Sequence, residues 1–130
     1  MFLALLLSSL LTFVELNCEN LFDTRDDLLK QDEEFLPASS HHWTPYRYWR
    51  KVNRIGQEIL SCSEKKIPDL VALTEVENDS VLFDLTRRSL LRGAGYHYVM
   101  TDSPDERGID VALLYSPFSF RLLRWYGIRV

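Results

Sequence analysis

The chain has 130 residues, of which 46% are hydrophobic and 26% are charged, and it carries a net charge of −4. This length supports one domain with one hydrophobic core. The composition is that of an ordinary globular protein. The acidic balance argues against binding of nucleic acid through a broadly basic surface. It leaves open an enzyme that contacts phosphate through a metal ion and a few local cations.

Residues 1–14, MFLALLLSSLLTFV, are almost wholly apolar. This stretch is long enough for the core of a signal peptide but shorter than the roughly 20 residues that span a bilayer. It contains no Lys or Arg, and it merges with the following strand, so a buried first strand is the alternative. The segment favours an exported or membrane-associated protein over a cytoplasmic one.

Residues 13–20 alternate between apolar and polar side chains, which predicts a strand. The apolar face carries Val14, Leu16 and Cys18, and the polar face carries Glu15, Asn17 and Glu19. On this stretch alone, the polar face is that of a solvated strand or a turn cap. The charged residues 21–42 that follow predict a loop or short helix, and His41 and His42 have no matching metal-ligand spacing.

Thr44 followed by Pro45 predicts the start of a helix. Apolar residues then recur at helical spacing as far as Cys62, and basic residues occupy the other faces. These basic residues indicate a solvated helix face, with phosphate steering by one arginine as the minor alternative. Cys18 and Cys62 are predicted to be buried free thiols, and a disulfide between them stays open for an exported protein.

An unbroken apolar run, PDLVALTEVEND, occupies residues 68–79 and ends in acidic residues. Its shortness, its Val residues and Pro68 predict a strand buried on both faces rather than a helix. In open α/β sheets, ligands gather at the carboxyl ends of strands. Glu75 is therefore placed where a carboxylate can bind a hard cation.

The rest of the chain predicts a second helix and three more strands. The helix VLFDLTRRSLL follows the capping residues Asn78 and Asp79 and ends before Gly93. The strands are expected over residues 96–100, 109–115 and 118–130, with a polar turn containing Arg107 at residues 103–108. His97 is expected to pack within its strand. The order of elements predicts an α/β sheet with helices on one face.

Three segments together resemble one family in order and spacing. ELNCENLFDT resembles the asparagine-bearing first motif of the endonuclease/exonuclease/phosphatase superfamily, which has the DNase I-like fold. PDLVALTEVEND resembles its metal-binding motif, and SPDERGIDVALLYSP resembles a strand pair of a bacterial branch. The resemblance covers residues 13–130 and corresponds to the N-terminal half of a family domain. It implies half of a four-layer α/β sandwich, with one mixed sheet and helices on one face.

The resemblance implies a role for particular residues. Glu75 stands at the position of the family's magnesium-binding glutamate, and Asn17 at that of a catalytic asparagine that positions the metal ligand or the phosphate. Asn20 is implied as a substrate contact and Glu19 as a supporting residue. Arg107 is a candidate phosphate contact, because its guanidinium suits phosphate oxygens, with a surface turn arginine as the alternative.

Asn78 is implied as a further supporting residue, in a loop cap or behind the metal ligand. The implied activity is that of a Mg²⁺-dependent phosphodiesterase, nuclease or phosphatase, with Mn²⁺ as an alternative ion. The substrate would be a phosphoester, and nucleic acid, phospholipid and sugar phosphate all stay open. The resemblance implies no specific protein partner, and residues 1–14 could add a membrane association.

The sequence also departs from the family pattern. No Asp-x-Asn and no Ser-Asp-His motif occurs in it, and Thr74 replaces the glutamine that commonly precedes the metal ligand. We therefore expect an inactive piece of a longer enzyme, with a non-catalytic remnant or interaction module as the alternative. Half of the sandwich would leave one sheet face uncovered, and the chain would be marginally stable. The uncovered residues are predicted to include Val71, Leu73, Val111 and Leu113.

Overall fold

A single mixed sheet of four strands organises the protein. The computed structural model describes residues 10–24, 44–102 and 110–128. The strands are β1 (Phe13–Leu21), β2 (Leu70–Val76), β3 (His97–Met100) and β4 (Asp110–Tyr115), in the spatial order β1-β2-β4-β3. β1 and β2 are parallel, whereas β4 runs antiparallel to both β2 and β3. The predicted α/β fold class is confirmed.

Helix α1 (Pro45–Ser61) begins as the sequence predicts. The Thr44 hydroxyl accepts a hydrogen bond from the Arg47 amide at 3.3 Å, and Pro45 occupies the first turn, where its missing amide donor costs nothing. The buried stripe consists of Tyr48, Val52, Ile55, Gly56 and Ile59. Gly56 allows a close approach, because a Cβ there would lie 3.3 Å from the Leu91 Cβ. A larger residue would push α1 away from its neighbour.

The second predicted helix is divided into three short pieces. These are α2 (Asp79–Phe83), a π-helical turn (Asp84–Arg88) and a 3₁₀ turn (Leu90–Ala94). The Ser89 hydroxyl donates to the Leu85 carbonyl, and Ser89 itself has an extended backbone. Such local side-chain bonds compete with regular helix geometry. Gly95, with φ of 70°, then reverses the chain into β3 in a conformation that glycine adopts without strain.

The two faces of the sheet have different environments. One face packs against α1 and the turns, and Val71, Leu73 and Leu114 on it are fully buried. Their sequence neighbours, such as Ala72 and Leu113, pair on the opposite face, which we call the open face. Its members in the described residues are Phe13, Glu15, Asn17, Leu70, Ala72, Thr74, His97, Val99, Val111, Leu113 and Tyr115.

The prediction of the uncovered face was therefore half wrong. Val111 is 48% exposed and Leu113 is partly buried, as expected for the open face. Val71 and Leu73 instead lie beneath the helices. The reason is the period of two along a strand, since residues 71 and 73 point to the face opposite to residues 70, 72 and 74.

Three other predictions differ from the structure. Residues 118–128 form no strand, and all their large apolar side chains except the partly buried Phe120 are exposed. Cys62 is exposed at the end of α1 rather than buried, and both it and the buried Cys18 are free thiols. His97 is exposed and makes an edge-to-face contact with Tyr115. His41, His42 and residues 1–9 lie outside the described residues.

The amino ends of β1 and β2 are tied together by a buried carboxylate. Asp69 accepts hydrogen bonds from the Thr12 amide at 2.8 Å, from the Lys66 amine at 2.9 Å and from the Ser119 hydroxyl. These contacts lie at the amino ends of the strands, whereas Glu75 lies at the carboxyl end of β2. They fix where the two parallel strands begin relative to each other. Within the described part of the chain, no helix is long and apolar enough to cross a membrane.

Candidate functional site

The carboxyl ends of β1 and β2 carry matching irregularities. The parallel register passes from Asn17 opposite Thr74 to Leu21 opposite Val76, so three residues of β1 face the single residue Glu75. The ladder between β2 and β4 is also interrupted at Glu75. Glu75 is therefore the extra residue in the ladder with β4, whereas the extra residues in the ladder with β1 belong to β1. A bulge of this kind redirects a side chain relative to the regular alternation of the strand.

Three residues at this bulge have left-handed backbones. The φ angles are 50° for Glu19, 59° for Asn20 and 60° for Glu75. Asn tolerates this region, whereas a glutamate there costs about 1–3 kcal/mol. Strained backbone of this kind persists only where the surrounding contacts determine it, and such strain is concentrated at functional sites.

Both oxygens of the Glu75 carboxylate accept hydrogen bonds from β1. The Asn17 side-chain amide donates to Oε1 at 3.1 Å, and the Asn20 backbone amide donates to Oε2 at 3.0 Å. Glu75 is only partly buried, so the carboxylate also faces solvent. The donors hold its orientation, and the remaining lone pairs stay open to a cation or water.

Asn17 is itself held in place. Its side-chain oxygen accepts a hydrogen bond from the Glu19 backbone amide at 2.7 Å. This bond fixes which end of the Asn17 amide faces Glu75, because the oxygen is already used by the turn. The nitrogen is then the end that points to the carboxylate.

Lys51 of α1 supports the same turn from the helix side. Its amine donates to the Glu19 carbonyl and, at 3.4 Å, to the Asn20 carbonyl. Burial lowers the pKa of the Lys51 ammonium, although nearby Glu19 and Glu75 act in the opposite direction. Burial likewise raises the pKa of the adjacent Cys18 thiol to about 12, so this cysteine is protonated at neutral pH. Cys18 is also almost fully buried and belongs to the hydrophobic core.

A second polar group ties the loops that follow β1 and β2. The Asp23 amide donates to Glu77 Oε2 at 2.7 Å, and the Asn78 side-chain amide donates to Asp23 Oδ2 at 3.1 Å. Asn78 also caps α2, because its side-chain oxygen accepts from the Val81 amide at 3.0 Å. Asp110 accepts a 2.7 Å bond from the Thr101 hydroxyl. These groups stabilise the loops around the Glu75 site.

The structure brings together most of the residues selected from the sequence. Glu75, Asn17 and Asn20 are in direct contact, although Asn20 contributes its backbone amide rather than its side chain. Glu19 contributes its backbone, and its side chain is exposed. Arg107 lies outside the described residues.

Sequence reasoning overlooked the contribution of Lys51. The sequence pattern predicts that Lys51 is one of the solvated basic residues of α1. In the structure, its amine contacts the turn at the end of β1. The helical spacing of the sequence does indicate that Lys51 lies near the sheet. Residue 51 lies beside the buried stripe of Tyr48, Val52 and Ile55, closer to the sheet than exposed Arg50 and Arg54.

The described residues fit one class of metal site. Across residues 10–24, 44–102 and 110–128, no group of three or more His, Cys, Asp or Glu is arranged to hold a metal ion. A zinc or calcium site built wholly from protein ligands needs more ligands than this. Mg²⁺ usually binds through one or two carboxylates and completes its coordination with water and substrate phosphate. An oriented, partly exposed Glu75 suits that ion.

The fold and the site define a class of protein: an α/β protein that presents a restrained carboxylate at the adjoining carboxyl ends of two parallel strands. A model of the endonuclease/exonuclease/phosphatase family matches residues 12–130. The chain belongs to this family and is thus of a phosphoester hydrolase lineage, with an architecture consistent with the DNase I-like fold. No curated protein and no solved structure matches it.

Proposed function

We propose that this chain supplies the cation-binding half of a Mg²⁺-dependent phosphoester hydrolase. The observation that carries the proposal is the Glu75 carboxylate, which both Asn17 and Asn20 hold at the carboxyl ends of β1 and β2. Mn²⁺ would bind the same oxygen ligands, because both ions suit carboxylate and water.

Each residue has a stated task in this proposal. Glu75 binds the ion through a carboxylate oxygen, and Asn17 keeps that carboxylate turned toward the solvent-facing side of the bulge. The Asn20 amide holds the second oxygen and so limits rotation of the carboxylate. When bound, the ion would polarise a phosphate ester and stabilise the negative charge of the transition state.

The 130 residues are proposed to bind the ion without turnover. A hydrolase also needs a group that activates water, and general base catalysis contributes about 10²–10⁴-fold to rate. The sequence contains neither an Asp-x-Asn nor a Ser-Asp-His motif. The one histidine in the described residues, His97, lies on β3 in contact with Tyr115. The expectation that these residues are half of a longer enzyme stays a prediction, as does the choice among nucleic acid, phospholipid and sugar phosphate.

Calorimetric titration with Mg²⁺ and Mn²⁺ tests the proposal, together with hydrolysis of a generic phosphodiester. Glu75→Gln keeps the shape of the side chain and one acceptor but removes the charge, and Glu15→Gln is the matched control because Glu15 is exposed on the same sheet. We expect measurable binding that is lost in Glu75→Gln and kept in Glu15→Gln. Unchanged affinity in Glu75→Gln would contradict the assignment, and turnover by the wild-type chain would contradict the expected inactivity.

A further inference from the structure

We infer that Lys51 is a positioning residue of the Glu75 site, acting through the backbone of β1. The inference extends the proposed function, because it names what holds the left-handed turn that carries the Asn20 amide. The Lys51 amine donates to the carbonyls of Glu19 and Asn20, two of the three residues at the bulge that have positive φ.

The geometry links Lys51 to the carboxylate in two steps. A peptide unit is rigid, so a carbonyl that is held in place also fixes the amide on its other side. Holding the Glu19 carbonyl therefore fixes the Asn20 amide, because both belong to the same peptide unit. That amide donates to Glu75 Oε2 at 3.0 Å. Lys51 thus orients the carboxylate without touching it.

The turn needs such support. Glu19 and Asn20 both have left-handed backbones, a conformation that asparagine tolerates but that costs free energy for glutamate. The turn is also at an edge of the sheet, since β1 has a strand neighbour only on the side of β2 in the described residues. The cross-strand ladder is interrupted here, so the α1 lysine supplies a contact that regular pairing does not.

If Lys51 acts by positioning the turn, its removal has the opposite effect on metal affinity from the one expected if it acts through its charge. A nearby positive charge repels a divalent cation, so removal of the Lys51 charge alone would tighten metal binding. If Lys51 instead holds the turn, its removal loosens the Asn20 amide and weakens binding. Loss of a group that orients a metal ligand commonly costs about 10–100-fold in affinity.

The test uses Lys51→Met, which keeps the aliphatic stem, with Arg54→Met as the control. Arg54 is on the same helix, and its side chain is 78% exposed in a pair with Glu58. We expect Lys51→Met to weaken Mn²⁺ binding about tenfold, whereas Arg54→Met leaves it unchanged or tightens it slightly. Lys51→Arg, which keeps a donor, should recover part of the affinity.

A measurement without metal separates this inference from the proposed function. Amide hydrogen exchange at Asn20 is followed relative to the Leu73 amide in the middle of β2. In Lys51→Met we expect Asn20 to exchange about tenfold faster relative to Leu73, because a local opening exposes only the turn. If Asn20 exchange is unchanged relative to Leu73, the inference is overturned, whatever the metal affinity. If it accelerates while Glu75→Gln still binds Mn²⁺ normally, Lys51 positions the turn and the proposed metal site fails.

Discussion

At the scale of single residues, the site depends on side chains that use both of their polar ends. Asn17 accepts from the Glu19 amide with its oxygen and donates to Glu75 with its nitrogen. A residue with only one of these functions cannot make both bonds. The same division occurs at Asn78, which caps α2 with its oxygen and bonds Asp23 with its nitrogen. Two asparagines of similar local geometry therefore have separable roles.

Replacing either asparagine should lower stability by a similar amount, but only the replacement of Asn17 should weaken metal binding. Asn17→Ala should weaken Mn²⁺ binding about tenfold, since Glu75 loses a group that orients it. Its effect on the free energy of unfolding should be about 1 kcal/mol, because the lost bonds are exposed. Asn78→Ala should lower stability by about 1 kcal/mol through the lost helix cap and leave Mn²⁺ affinity unchanged. Calorimetry and urea unfolding measure the two quantities, and equal effects of both variants on affinity would contradict separate roles.

The positions of Glu75 and Asn17 could be predicted from residue type and order. The bulge and the contacts of Lys51 could not, for a physical reason. Glu75 ends an apolar run and Asn17 lies on the polar face of an alternating one, so both residues could be placed near strand ends from the pattern. The bulge could not, because positive φ at Glu19 and Glu75 runs against the intrinsic preference of glutamate. The role of Lys51 depends on that bulge. Hydrophobic spacing places Lys51 beside the buried stripe of α1, but it does not show which backbone carbonyls the amine contacts.

At the scale of elements, α1 follows its sequence signals, and β2 is a strand as predicted but is fully buried on one face only. The second helix and the last strand differ from their predictions. Thr44 and Pro45 give α1 an unambiguous start. The predicted single helix after β2 is broken where Thr86 and Ser89 hydroxyls bond to carbonyls four residues earlier. The predicted strand over residues 118–130 has the right composition for a strand. A strand also needs a neighbour, and residues 118–128 form no ladder in the described part of the chain.

The two faces of the sheet can be compared with one residue type. Val71 is fully buried beneath the helices, and Val111 is 48% exposed on the open face. Val71→Ala should lower the free energy of unfolding by about 2–3 kcal/mol, through lost burial and a residual cavity. Val111→Ala should cost less than about 1 kcal/mol. Urea unfolding of both variants measures the difference, and equal costs would show that the faces are wrongly assigned.

The Asp69 contacts predict an acid dependence of stability. Hydrogen bonds from Ser119, the Thr12 amide and Lys66 lower the pKa of Asp69 from 3.8 to about 2. A folded-state pKa below the unfolded value means that the ionised group stabilises the fold above about pH 4, and that this contribution is lost as the pH falls toward 2. Asp69→Asn should thus be less stable than wild type at pH 6. The difference in free energy of unfolding between the two proteins, called the gap below, should be smaller at pH 3.

Urea midpoints at the two pH values measure this gap. Glu64→Gln serves as a control for the change in net charge, because Glu64 is an exposed acid in the same connection between α1 and β2. Its effect should be small at both pH values. A gap between wild type and Asp69→Asn that stays constant from pH 6 to pH 3 would show that the ionised Asp69 carboxylate does not stabilise the sheet.

At the scale of the whole molecule, the residues that the structure describes form a sheet with helices packed on one side. The core cluster joins α1 and the two turns to a single face, and the other face retains apolar side chains in contact with solvent. Soluble proteins rarely expose contiguous apolar patches of more than a few hundred Å². Since apolar side chains such as Phe13 and Val111 stay exposed on the open face and contribute little to folding, we expect a modest free energy of unfolding for the chain.

The open face itself can be detected with a hydrophobic dye such as bis-ANS. Val111 on the open face and Leu90 in the 3₁₀ turn are 48% and 49% exposed, so lysine at either site adds the same charge at similar exposure. Val111 is surrounded by other open-face side chains, including its partner Thr74 and neighbouring Leu113. We therefore expect Val111→Lys to lower native-state dye fluorescence clearly and Leu90→Lys to change it little. Equal reductions would mean that the dye reports general surface apolarity, and no native-state binding by the wild-type chain would show that the open face is not accessible in solution.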